Sequence, residues 1–201
     1  MRKVVLSLVA IAAIALPALA GKYNKIVSVG DKAPTFSGLP AVYNGEDTSV
    51  SLPDLKEDVV VLVFLANHCP VVGQYEDRLI EFTKDYKDKG VRVVGISVST
   101  MGQDKIPGIK DYMKDHKSNY VYAYDESQEV GRAYGATNTP QFFVLDKERK
   151  IRYTGAMDNN SNEAKATKNH VRDAVDAVLS GKSPEVDETR AVGCGISYSK
   201  R

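Results

Sequence analysis

The sequence has little sulfur, little imidazole and no excess of charge. Its 201 residues contain two cysteines and three histidines. Two cysteines are too few for a small domain stapled by disulfides, and three histidines leave little material for a His-rich metal site. There are 27 Lys and Arg against 26 Asp and Glu. A nucleic-acid footprint would show a clustered basic excess, so nucleic acid is not an expected partner. No Gly-rich phosphate loop, paired-carboxylate site or internal repeat stands out. What remains, 43% hydrophobic and 26% charged residues, is the composition of an ordinary globular chain of about one domain.

The first twenty residues read as an address. Arg2 and Lys3 precede an apolar run from Val4 to Leu16, and Pro17-Ala18-Leu19-Ala20 offers small residues for cleavage. This is the pattern of a secretory signal peptide over residues 1–20, and the run is shorter than the roughly 20 residues of a membrane span. Cleavage would leave 25 basic against 26 acidic residues. The expected mature chain is periplasmic or secreted, has no membrane partner, and keeps both cysteines in an oxidising compartment. Residues 21–182 are expected to form the folded domain, and residues 183–201 an irregular tail carrying Cys194.

Hydrophobic patterning predicts the elements. Val59–Ala66 is continuously apolar, as a central parallel strand would be. Tyr75, Leu79, Phe82 and Tyr86 recur at helical spacing, and Gly90 ends that helix. Further strands are expected at 91–97, 120–124, 141–145 and 151–155. Helices are expected after Pro107, at 127–134 and at 162–179, with a loop over 36–44. Such alternation builds an α/β fold with a mixed, mostly parallel central sheet flanked by helices, the closing hairpin supplying antiparallel strands. Glu76-Asp77-Arg78 reads as solvated helix surface.

Cys69 carries the chemistry. It follows the central strand in Ala66-Asn67-His68-Cys69-Pro70, with Pro70 suited to the first helical position. There the unpaired N–H groups and the helix dipole favour an anion, so the thiol pKa is lowered toward the reactive thiolate. His68 could add positive charge or accept the proton. The simpler alternative is a small buried hydrophobe, which fits a strand-end cysteine before a helix-starting proline poorly. Thr139-Pro140 precedes the strand at 141–145, and unaided X-Pro statistics predict a trans bond there.

These residues resemble a family. Val63-Phe64-Leu65-Ala66-Asn67-His68-Cys69 is similar to the thioredoxin segment ending in W-C-G-P-C. Residues 124–146, through Thr139-Pro140-Gln141-Phe142-Phe143, resemble the second half of thioredoxin-like redoxins. Val29-Gly30-Asp31-Lys32-Ala33-Pro34-Thr35-Phe36 resembles the G-x-x-A-P-x-F opening of peroxiredoxins. Asn67-His68-Cys69-Pro70 followed by Tyr75-Glu76-Asp77-Arg78 is similar to a peroxiredoxin-like branch of the alkyl hydroperoxide reductase and thiol-specific antioxidant group. The resemblance, over roughly residues 29–181, implies a thioredoxin-like fold with a cis Pro140 beside Cys69. It implies an exported thiol oxidoreductase with no cofactor, whose Cys69 attacks a peroxide or a protein disulfide and is restored by an unidentified thiol reductant. His68, Asn67, Thr139 and Pro140 would meet the substrate.

The sequence also departs from the pattern. Val72 stands where C-x-x-C needs its second cysteine, so no local dithiol exists. Leu62 and Ala66 stand where P-x-x-x-T-x-x-C puts Pro and Thr, and the thiolate-steadying arginine has no clear counterpart, which counts against efficient peroxidase chemistry. Peroxiredoxins place a resolving cysteine in a mobile C-terminal tail. The resemblance so implies that Cys194 pairs with Cys69, within one chain or between two chains of a homodimer. The rival readings are a Cu(I) carrier using Cys69, His68 and Cys194, and a redox-inactive interaction module.

Overall fold

The computed structural model describes residues 21–200. The signal-peptide reading of residues 1–20 lies outside them. Strands are β1 Leu39–Tyr43, β2 Glu46–Val50, β3 Val59–Leu65, β4 Val91–Ser97, β5 Val121–Tyr124, β6 Asn138–Thr139, β7 Gln141–Leu145, β8 Ile151–Gly155 and β9 Cys194–Gly195. Helices are α1 Pro70–Tyr86, α2 Ile106–His116, α3 Glu129–Ala133 and α4 His170–Leu179. Seven strands form one sheet in the order β2-β1-β5-β4-β3-β7-β8, and β6 pairs with β9 outside it.

The expected α/β fold with a mixed sheet flanked by helices is what forms, but only the β3–β4 and β4–β5 pairings are parallel, so the sheet is not mostly parallel as expected. Its parallel centre is β5-β4-β3, and β3 is central, with β4 parallel on one side and β7 antiparallel on the other. Successive side chains of a strand point to opposite faces. Val59, Val61, Val63 and Leu65 therefore join one core with α1, α2 and α4. Val60, Leu62 and Phe64 join a second core, covered by the lead-in through Phe36 and by Val130 of α3. Both faces are buried, which is why β3 reads as an unbroken apolar run. Among the described residues no helix is long and apolar enough to cross a membrane.

Four further expectations need correction. The loop over 36–44 contains β1, which forms a hairpin with β2 and pairs antiparallel with β5, so antiparallel strands flank the parallel centre on both sides. Its turn is Asn44-Gly45, both at positive φ, and this dipeptide is a strong hairpin signal that the pattern reading passed over. The helix expected from Asn162 starts only at His170. The preceding stretch is held open because the Asn159 carboxamide oxygen accepts from the Thr167 and Lys168 N–H groups, while Arg78 binds the Asn160 and Ser161 carbonyls.

Glu76 and Arg78 are not solvated surface. Only Asp77 of that triplet is exposed. Glu76 is 2% exposed and accepts from Ser118, Tyr112 and Tyr120 hydroxyls, and Arg78 pairs with buried Asp158. The tail, finally, is not irregular throughout, because β9 docks on β6.

Candidate functional site

Cys69 is the N-cap of α1 and Pro70 its first residue, as helix-start chemistry dictates. The Cys69 N–H donates to Ala66 O at 3.0 Å, closing the turn that follows β3. The cysteine is 1% exposed. Its sulfur is bonded to that of Cys194, 125 residues away, with the Cα atoms 5.9 Å apart, inside the range that disulfides span. The bridge lies within one chain.

The partner is delivered by strand pairing. Thr139 sits opposite Cys194 and Asn138 opposite Gly195. The Thr139–Pro140 bond is cis, as the family resemblance implied and X-Pro statistics did not. Cys69 Sγ lies 3.2 Å from Thr139 O, so the residue before Pro140 touches the reacting sulfur through its backbone. Asn138 Nδ2 also donates to Gly193 O at 3.1 Å. A Cβ on Gly193 would fall 2.0 Å from Thr139 O, so the tail can lie this close to the proline loop only because residue 193 is glycine.

Two further sequence candidates are tied to a residue the sequence reading did not single out. Asp104, fully buried, accepts from the Asn67 N–H at 2.5 Å and the His68 N–H at 3.3 Å, and its other oxygen lies 2.5 Å from His68 Nδ1. The short contact between Asp104 Oδ2 and His68 Nδ1 fixes the orientation of the imidazole ring. Asn67 turns the other way. Its Nδ2 donates to Gln103 O at 2.6 Å, and its Oδ1 accepts from Tyr122 OH at 3.0 Å. Asn67 thus fastens the Cys69 turn to the entry of α2, and the structure does not bring its side chain to the disulfide. Nothing in the spacing around Asp104 marks it. Its role appears only when α2 is packed beside the β3–α1 turn.

A cavity of about 220 Å³ opens beside the disulfide, lined among others by Ala66, His68, Met101, Thr139 and Ile196. Its lining mixes apolar side chains such as Met101 and Ile196 with polar ones such as His68 and Ser99, the composition of a small-ligand or side-chain pocket. No group of three or more His, Cys, Asp or Glu placed to hold a metal occurs among the described residues.

The tail is fixed on both sides of Cys194. Upstream, Glu188 accepts the N–H groups of Lys22, Tyr23 and Asn24 at 2.6, 2.7 and 2.8 Å. Thr189 Oγ1 lies 2.6 Å from Tyr153 OH and accepts from the Ala156 N–H at 3.0 Å. Downstream, the Ile196 N–H donates to Thr137 O at 2.9 Å. Cys194 is therefore held beside Cys69 by contacts that do not depend on the sulfur–sulfur bond.

This arrangement of paired cysteines and a cis proline agrees with what the chain is similar to. The Redoxin family matches residues 28–171. Thiol-disulfide oxidoreductase ResA of Bacillus thuringiensis subsp. konkukian (strain 97-27) is 24% identical over 151 residues, 74% of this chain and 83% of that protein. The protein of the same description from Bacillus subtilis (strain 168) is 27% identical over 132 residues, 66% of this chain and 68% of that one. Among solved structures, an uncharacterized conserved protein from Geobacillus kaustophilus has a TM-score of 0.80 at 29% identity, covering 94% of this chain and all of that one.

Proposed function

Given that the chain belongs to the Redoxin family and is an oxidoreductase, we propose that it exchanges disulfides with protein substrates, Cys69 acting as the nucleophile and Cys194 as the resolving cysteine. The observation that carries this reading is the placement of both sulfurs against the Thr139–Pro140 loop, one at a helix N-terminus and one on a docked strand.

In the reduced protein the Cys69 thiolate is favoured by the α1 dipole and attacks one sulfur of a substrate disulfide. A mixed disulfide forms on Cys69 and the second substrate sulfur leaves as a thiolate, which takes up a proton. That proton comes from solvent, and His68 lines the cavity beside this step with its ring held by Asp104. The Cys194 thiolate then attacks Cys69 Sγ, expels the first substrate sulfur and forms the Cys69–Cys194 bond. The protein dithiol is oxidised as the substrate disulfide is reduced to two thiols. An external thiol reductant returns the protein to the start, and no cofactor enters the cycle. Disulfide rather than peroxide is favoured because the named relatives are thiol-disulfide oxidoreductases, and because Ala66 supplies no hydroxyl where peroxiredoxins have threonine.

The reading includes export after removal of residues 1–20, a folded domain over 21–182, and a tail over 183–201 that serves the same site. Reduced protein mixed with oxidised glutathione tests the chemistry by mass spectrometry after alkylation. Wild type should end as the Cys69–Cys194 disulfide, Cys194→Ser should stop as a glutathione adduct on Cys69, and Cys69→Ser should not react. Full reaction of Cys69→Ser would overturn the assignment. Cell fractionation and the mature N-terminal mass test export, a chain beginning at Gly21 being expected.

A further inference from the structure

The tail beyond Cys194 is built as a bound peptide. Cys194, Ile196 and Tyr198 are partly buried, while Gly195, Ser197 and Ser199 between them are exposed. That alternation is the period of an extended strand with one face against the protein. Each inward residue has its own seat. Cys194 meets Cys69. Ile196 packs on the second core and borders the cavity beside the disulfide. Tyr198 donates its hydroxyl to Ala136 O at 2.8 Å, and Arg132 lies 4.5 Å from its ring centre. The Tyr198 seat exists because residue 131 is glycine, since a Cβ there would fall 2.7 Å from Tyr198 Oη.

The remaining contacts read only the tail's backbone. Thr137 O accepts the Ile196 N–H. Buried Gln128 donates Nε2 to Ser197 O at 3.2 Å and accepts the Ser199 N–H on Oε1 at 2.8 Å, while a 2.7 Å bond to Val98 O holds its amide in place. Gln128 reaches this position from a left-handed backbone, φ +62°, that non-glycine residues adopt only when their surroundings enforce it. Backbone-only reading accepts any extended chain, and selection is left to the three inward side chains, the division of labour of strand addition.

We propose that β6, Gln128 and the Gly131–Ala136 wall form a peptide groove for an extended segment of a substrate protein. That segment would carry the reacting cysteine, an aliphatic residue two places on and an aromatic residue four places on, and the protein's own tail is the resident occupant that must yield. The proposal rests on Cys69 and Cys194 being the working pair, and it names the substrate class of that site. Because one strand edge serves both occupants, tail and substrate segment exclude each other on β6, and the segment lifts off, still tethered through the mixed disulfide, before the tail redocks and Cys194 resolves it.

The test uses a fluorescein-labelled peptide of residues 191–200 with serine in place of the cysteine, titrated by anisotropy into full-length protein. In Cys194→Ser the tail stays docked. In Cys194→Ser with Ile196→Ser and Tyr198→Ser it loses two seats. The peptide should bind the second protein at least tenfold more tightly than the first. It should also bind at least tenfold more tightly than a control peptide carrying serine at the Ile196 and Tyr198 positions. Equal affinity of both peptides for the undocked protein, or of both proteins for the tail peptide, overturns the proposal. If circular dichroism shows the triple variant unfolded, Cys194→Ser with Ile196→Pro, which removes the N–H donated to Thr137 O, replaces it under the same criteria. The measurement needs no reactivity at Cys69, so its failure is distinct from failure of the glutathione experiment.

Discussion

Reducing the Cys69–Cys194 bond should lower the stability of this protein by an amount set by the length of chain it closes. The two residues are 125 apart in sequence. In the chain-entropy account a cross-link over so long a loop restricts the unfolded ensemble by about 5 kcal/mol at 25 °C, near the top of the measured range. For a chain of this size about 1 kcal/mol corresponds to roughly 2–4 °C, so the midpoint should fall by about 10–20 °C. By the thermodynamic cycle, the same energy makes the bond about 110 mV harder to reduce in the folded protein than in the unfolded chain. Calorimetry or urea titration with and without dithiothreitol measures the difference, and Cys194→Ser without reductant should match the reduced wild type. The reduced protein should remain folded, because Glu188, Thr189 and Ile196 hold the tail by hydrogen bonds that reduction does not touch. Unchanged stability on reduction would refute the reasoning. A dimer mass in the non-reduced sample that falls to the monomer mass with dithiothreitol would point instead to a bond between two chains.

Three other outcomes follow from single buried groups. Asp104→Ala should leave the Asn67 and His68 N–H groups without their acceptor at about 1–3 kcal/mol each. It should also free the His68 ring, changing the pH profile of Cys69 alkylation; an unaltered profile would remove His68 and Asp104 from the chemistry. Burial pushes the Glu76 carboxyl above the ordinary carboxylate range, outweighing hydrogen bonds from Ser118, Tyr120 and Tyr112. The folded state therefore holds this proton longer than the unfolded one, and stability falls as pH rises from the ordinary glutamate value through the raised one. Urea midpoints of Glu76→Gln relative to wild type should accordingly climb across that window, and a flat difference would contradict the shift. Arg78→Leu breaks a buried pair with Asp158 and should cost about 3–5 kcal/mol in urea unfolding, a loss below 1 kcal/mol showing that Asp158 finds solvent.

Much of this protein is local in origin and so legible in the chain itself. Strand β3 is buried on both faces, which forces an unbroken apolar run, and α1 shows its 3.6-residue stripe because one face meets the sheet. Cysteine before Pro70 marks a helix start and its anion-favouring end without any knowledge of the fold. The Asn44-Gly45 turn and the alternation of Cys194, Ile196 and Tyr198 were equally present, and they mark the hairpin and the docked tail. Tertiary structure alone decided the rest. Asp104 belongs to the site because α2 packs beside the β3–α1 turn, and Glu76 and Arg78 are buried because their polar ends find partners on the segments before β5 and after β8, which periodicity cannot show. That the two sulfurs meet within one chain depends on bringing Cα atoms of residues 125 apart to 5.9 Å of one another. Pairing of that kind is a property of distances in space, and spacing along the chain does not encode it.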